Sequence, residues 1–151
     1  MILFLDFDGV LHPFPLKPPD RPFSAIGHLW AILERLPEAT VVITSTWRER
    51  HAFPALVAML RAQGGEHFAE RFVGTTPMLE DGREYVPGVR QREVEAWLEA
   101  NASEGRKYLI LDDIDSYFDA DCAQLFLVNG ATGLTQDDVE SVVAKMNGRS
   151  F

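Results

Sequence analysis

Cysteine is almost absent from this chain: Cys122 is the only one. No disulfide can form within it, which fits a reducing compartment. A lone thiol set among alanine and aspartate reads as structural. Long apolar runs are missing too, and none approaches the ~18 residues of a membrane span. The first residues lack the basic region of a signal peptide and enter an apolar run directly, so a cytoplasmic location is expected. Positive charge is scarce. Lysine and arginine number 14 against 23 aspartates and glutamates, a net charge of -9. That argues against broad, sequence-independent nucleic-acid binding, which depends on neutralising phosphates. It leaves open a nucleic-acid end as a substrate.

What is present is the material of a core. Hydrophobic residues make up 46% of 151 positions and charged residues 25%, the balance of a folded domain rather than a disordered tail. The length is ordinary for one domain. Apolar, strand-length runs at Ile2 to Leu5, Thr40 to Thr44, Phe68 to Gly74, Tyr108 to Leu111 and Leu125 to Val128 alternate with helical patterns. The helical stretches are Ser24 to Leu36, Pro54 to Ala62, Val89 to Asn101 and Gln136 to Met146. Ser24 and Thr135 are candidate N-caps. Such alternation predicts an α/β fold: a parallel sheet with helices on both faces and right-handed crossovers.

Chemistry gathers where these strands end. Asp6 and Asp8 follow the first run, with Gly9 suited to a positive φ. Thr44, Ser45 and Thr46 follow the second. Asp112 and Asp113 follow the fourth, and Asn129 the fifth. Parallel strands bring all their C-terminal ends to one edge, the edge at which open α/β sheets do chemistry. Two separated aspartate pairs could then converge on one cation. Oxygen-only ligation suits a hard ion, Mg²⁺ by default. Asp6 is a candidate nucleophile toward phosphorus, and Asp8 a candidate general acid and base. A hydroxyl at Ser45 and a cation at Arg90 would hold the phosphoryl oxygens. Arg90 and Arg92 lie in a helix's first turn, where a cation opposes the dipole. Local sequence allows either a solvated arginine or a site cation there.

Five of the nine prolines fall between positions 13 and 22. This stretch is neither helix interior nor central strand, and reads as a stiff loop: a plain connector or a flap over the site. His12, just before it, could touch a substrate or bond within the loop. Trp47 and Phe14 could stack on a base or simply pack. A small hairpin is expected around Asp81-Gly82.

Asp6-Phe7-Asp8-Gly9-Val10, the strand ending at Ser45, an arginine in a helix, and Asp112-Asp113 together resemble the four motifs of the haloacid dehalogenase (HAD) superfamily. Asp-Gly-Val-Leu-His-Pro, Ser-Thr-Trp-Arg-Glu and the late Gly-Leu-Thr resemble, more narrowly, the HAD domain group of the "Swiss Army knife" RNA-repair proteins. The resemblance implies a Rossmann-like three-layer sandwich, its five-stranded parallel sheet ordered 5-4-1-2-3, as one HAD-like hydrolase domain over residues 1–151. It implies a Mg²⁺-dependent phosphohydrolase working through an aspartyl-phosphate on Asp6, with Asp8 as acid and base. Mg²⁺ would be held by Asp6, the backbone carbonyl of Asp8 and Asp112, with Asp113 nearby or acting through water. Ser45, with Thr44 or Thr46 as alternatives, and Arg90, with Arg92 as its alternative, would bind phosphate; Thr46 joins Ser45 and Arg90 in the expected set. The chain has no room for a cap domain, so the site should be open to a small or macromolecular phosphorylated substrate, a nucleic-acid end among them. The competing readings are a non-enzymatic, Mg²⁺-binding phospho-accepting module and a phosphotransferase or mutase on the same intermediate.

Overall fold

The computed structural model describes residues 1–79, 86–101 and 105–148. Five parallel strands form one sheet: β1 (Ile2–Leu5), β2 (Thr40–Ile43), β3 (Phe72–Thr75), β4 (Tyr108–Asp112) and β5 (Leu125–Leu127). Their order is β3-β2-β1-β4-β5, the 5-4-1-2-3 arrangement expected from the sequence. Four helices pack on it: α1 (Ile26–Arg35), α2 (Phe53–Leu60), α3 (Val89–Ala100) and α4 (Gln136–Met146). Among the described residues, neither the loop after β1 nor the segment before α3 builds a cap domain. No helix among the described residues is long and apolar enough to cross a membrane.

Strand alternation divides the core in two. Leu3, Leu5, Val41, Ile43, Leu109 and Leu111 face α1, α2 and α4, together with Leu29, Leu33, Leu56 and Val142. Ile2, Phe4, Val42 and Ile110 face the other way, onto Val94 and Leu98 of α3 and Phe118. Every residue of β1 is fully buried, because the strand is central and covered on both faces. The register matters for the site. Leu5 pairs with Ile43 on one side and with Leu111 on the other, so Asp6, Thr44 and Asp112 come next at one level.

The helix ends show where local sequence prevails and where it does not. Thr135 caps α4 as expected: its hydroxyl accepts the Asp138 N–H at 3.3 Å, and the Asp138 carboxylate accepts the Thr135 N–H at 2.9 Å. Ser24 does not cap α1. The helix starts after Ala25 with no side-chain cap, because Phe23 turns left-handed (φ +61°) and the Ala25 N–H is taken by the Leu11 carbonyl. The third strand also starts later than its apolar pattern suggests. Glu66–Arg71 coils as a 3-10 turn instead, and Arg71 reaches back to the carbonyls of Leu33, Leu36 and Ala39. The hairpin expected at Asp81-Gly82 lies outside the described residues.

Candidate active site

The level strand ends bring three acids together. Asp6, Asp112 and Asp113 each offer an oxygen within 4.8 Å of the others. Asp6 and Asp112 are buried. Asp112 Oδ1 accepts the Ile114 N–H at 2.9 Å, whereas Asp112 Oδ2 and Asp113 Oδ1 are buried with no partner among the described residues. Burial pushes the Asp6 carboxyl well above its usual range, and the negative charge of Asp112 adds to this. Burial likewise raises Asp112 to about 7 and lifts Asp113. Orphaned oxygens, an all-oxygen donor set and acids driven toward protonation all fit a hard divalent cation, and Mg²⁺ suits the set.

Asp113 is held by absence of side chains around it. A Cβ on Gly9 would lie 2.1 Å from Asp113 Oδ2, and one on Gly130 would lie 2.6 Å from it. Gly9 also has φ +76°, as its place after the acids suggests. The loops after β1 and β5 thus close on Asp113 from two sides.

Asp8 is set apart from this cluster. Its carboxylate turns to His12 Nε2 at 2.8 Å and to Trp47 Nε1 at 3.2 Å and 3.3 Å. The His12 hydrogen bond holds it below the usual carboxylate range, with Trp47 assisting against partial burial. The two aspartates of one short loop therefore part: Asp6 joins the acid cluster, and Asp8 borders a cleft of about 430 Å³ lined also by Thr46, Trp47, Glu49, Arg50 and His51.

The hydroxyls after β2 differ. Ser45 is fully buried, and its Oγ accepts the Trp47 N–H at 3.2 Å, leaving its own proton to donate. Thr44 is buried, and its Oγ1 has no partner among the described residues. Thr46 is exposed on the cleft. Of the two arginines, the helix brings in Arg90. It is 6% exposed, and its charge pulls Asp6 and Asp112 downward against burial. Its Nε has no partner among the described residues. Arg92 is exposed and donates to the Pro87 carbonyl at 3.2 Å.

Sequence reasoning missed the groups that hold Arg90. Arg90 Nη1 donates to Glu93 Oε1 at 2.9 Å, and Arg48 Nη2 donates to Glu93 Oε2 at 2.7 Å. Glu93 also accepts the Leu79 N–H at 3.3 Å. Arg48 donates to the carbonyls of Thr44, Ser45 and Thr76 as well. One buried carboxylate thus ties the turn after β2, the segment after β3 and the start of α3 together. A signal was present: Arg90 and Glu93 extend the inward stripe of Val94, Trp97 and Leu98 at helical spacing. His12 bonds within its loop, one of the two readings open from the sequence, but does so fully buried, which the sequence did not signal.

Comparison with curated proteins returned no match. A family model described as the HAD domain in Swiss Army Knife RNA repair proteins matches residues 2–139. That span takes in the whole sheet and all the acids of the site, and associates the chain with HAD-type phosphoryl chemistry. With nearly its full length matched, the chain belongs to the family of HAD domains found in Swiss Army Knife RNA repair proteins.

Proposed function

We propose that this protein is a Mg²⁺-dependent phosphohydrolase acting on a phosphomonoester through an aspartyl-phosphate on Asp6. The observation that carries the reading is the division of the two loop acids. Asp6 lies with Asp112, Asp113 and the charge of Arg90, while Asp8 stands outside that group and is hydrogen-bonded in its own right. A carboxylate beside Arg90 and a cation site is placed to meet a phosphate, and a partly exposed one can exchange protons with solvent.

Asp6, Asp112, Asp113 and the backbone carbonyl of Asp8 would hold the cation. When bound, Mg²⁺ would lessen the repulsion between the attacking carboxylate and the phosphate. An Asp6 oxygen attacks phosphorus, and the bond from phosphorus to the alcohol oxygen breaks. Asp8 passes a proton to that oxygen, having drawn it from solvent through the part of its side chain that stays exposed. Water then attacks phosphorus, Asp8 takes the water's proton, and Asp6 is released. Arg90 and the Ser45 hydroxyl hold the charge spread over the phosphoryl oxygens. The domain extends over residues 1–151. Its capless site suits a bulky substrate, and the family's occurrence in RNA-repair proteins favours a phosphorylated RNA end.

The test is a panel of phosphate esters that includes 3′- and 5′-phosphorylated oligonucleotides, with and without Mg²⁺. Metal-dependent release of phosphate is expected, with loss of turnover in Asp6→Asn. Wild-type rates in Asp6→Asn would overturn the reading. Delivery of the phosphoryl group to an added alcohol in preference to water would make the protein a phosphotransferase.

A further inference from the structure

His12 is built into the site by a strained turn. Its ring is fully buried. Its Nδ1 accepts the backbone N–H of Phe23 at 3.1 Å, so Nδ1 carries no proton. The proton belongs on Nε2, which lies 2.8 Å from Asp8 Oδ1. Phe23 supplies its N–H from a left-handed conformation (φ +61°) that bulky residues avoid. Ring contacts hold it there. Phe23 meets Phe7, His12 and Trp47 at centroid distances of 5.9, 5.7 and 5.3 Å. A plain connector does not require this, and strain held by surrounding packing is a mark of functional geometry.

The donors are also divided unevenly over Asp8. Oδ1 receives His12 at 2.8 Å and Trp47 at 3.2 Å, whereas Oδ2 receives only Trp47, at 3.3 Å. We propose that His12 is a positioning residue: locked in one tautomer by the Phe23 N–H, it clamps Asp8 through Oδ1 and leaves Oδ2 to exchange the proton. In the first step the phosphorus–oxygen bond to the alcohol breaks, and the proton on Oδ2 passes to the alcohol oxygen. In the second, a proton of the attacking water passes to Oδ2. The role rests on the phosphohydrolase reading above. It assigns a task to the end of the proline-rich loop, which holds the proton carrier rather than covering the site.

The test separates positioning from mere support of the fold. The constant kcat/KM covers steps only through alcohol release, so it isolates the step in which Asp8 acts as acid. A simple alkyl phosphate needs that proton; 2,4-dinitrophenyl phosphate, with its good leaving group, does not. In His12→Ala, kcat/KM should fall about 100-fold for the alkyl ester, the scale of a misplaced catalytic group, and change little for the aryl ester. His12→Gln, which can still present a donor to Oδ1, should recover much of the loss. Equal losses on both esters would overturn the proposal, as would an unchanged alkyl rate. Nitrogen NMR of the histidine rings gives a readout independent of turnover. Wild-type His12 should be protonated at Nε2 alone, with a signal that shifts in Asp8→Ala and persists in Asp6→Asn. Protonation at Nδ1, or indifference to Asp8→Ala, would also overturn it. A wild-type protein inert on both esters would count against the phosphohydrolase reading, and the NMR result would then decide whether His12 clamps Asp8.

Discussion

The acid cluster makes the metal-free protein respond to pH in an unusual direction. Asp112 rises from 3.8 to about 7 on folding, through burial first. Between those values the native state holds a proton that the unfolded chain has lost, so stability falls as pH rises through this window. For Asp112 alone, the penalty is about 2 kcal/mol at pH ~5.5 and about 4 kcal/mol at pH ~7.5. The difference of about 2 kcal/mol corresponds to roughly 4–8 °C in Tm for a chain of this size. Asp6 and Asp113 shift in the same direction and add to it. Asp8 shifts the other way, but it loses its contribution only as pH falls below about 3.8, outside this range. Thermal unfolding with a chelator should therefore give a higher Tm near pH 5.5 than near pH 7.5. Mg²⁺ should remove the deficit at the higher pH, by about 2.7 kcal/mol when it is present at about 100 times its Kd. Asp112→Asn should flatten the pH response and abolish the Mg²⁺ effect. A metal-free Tm that is level or rises between the two pH values would refute the reasoning, because it would mean that these carboxylates are not desolvated against one another.

Four further outcomes follow from the same geometry. Glu93→Ala leaves the buried guanidinium groups of Arg48 and Arg90 without their carboxylate, and should cost about 3–5 kcal/mol in denaturant unfolding; a change under about 1 kcal/mol would contradict the pairing. Gly130→Ala should weaken Mg²⁺ binding in calorimetric titration with little loss of stability, because the added methyl displaces only the end of Asp113. Gly9→Ala should lose both, since it adds left-handed strain of about 1–2 kcal/mol. Thr135→Ala removes a capping box and should cost about 1 kcal/mol in chemical denaturation, with Mg²⁺ affinity unchanged.

The sequence is legible where one segment decides its own fate. Ile2 to Leu5 can only be a covered strand, so the acids after it must lie at a sheet edge. The same holds for Tyr108 to Leu111 and Asp112. Thr135 and Asp138 satisfy each other three residues apart, and α4 begins where they say. Legibility fails where a residue's partner is distant. Glu93 and Arg48 meet across 45 positions, and neither shows its charge to be buried until α3 lies against the turn after β2. Ser24 looks like a cap because the competing event, the left turn at Phe23, depends on His12 and Trp47 being in place. The start of β3 is set by Arg71 reaching the end of α1, not by the apolar residues from Phe68 onward. Which of Arg90 and Arg92 turns inward is likewise a matter of packing: one lies on the inward stripe, and the other is exposed.

The level strand ends have a consequence for how this site comes apart. Asp6 follows directly on β1 and Asp112 ends β4, strands whose backbone hydrogen bonds lie at the centre of the sheet and should open only with global unfolding. Asp8, His12 and Phe23 are held by ring contacts and a few side-chain hydrogen bonds outside the sheet, and should open at lower cost. The two halves of the machinery therefore belong to units of different stability. Mild heat or denaturant should produce a population that still captures the cation while the proton carrier has come loose. Hydrogen exchange would show it as early release at Phe23, with protection kept at Asp6 and Asp112.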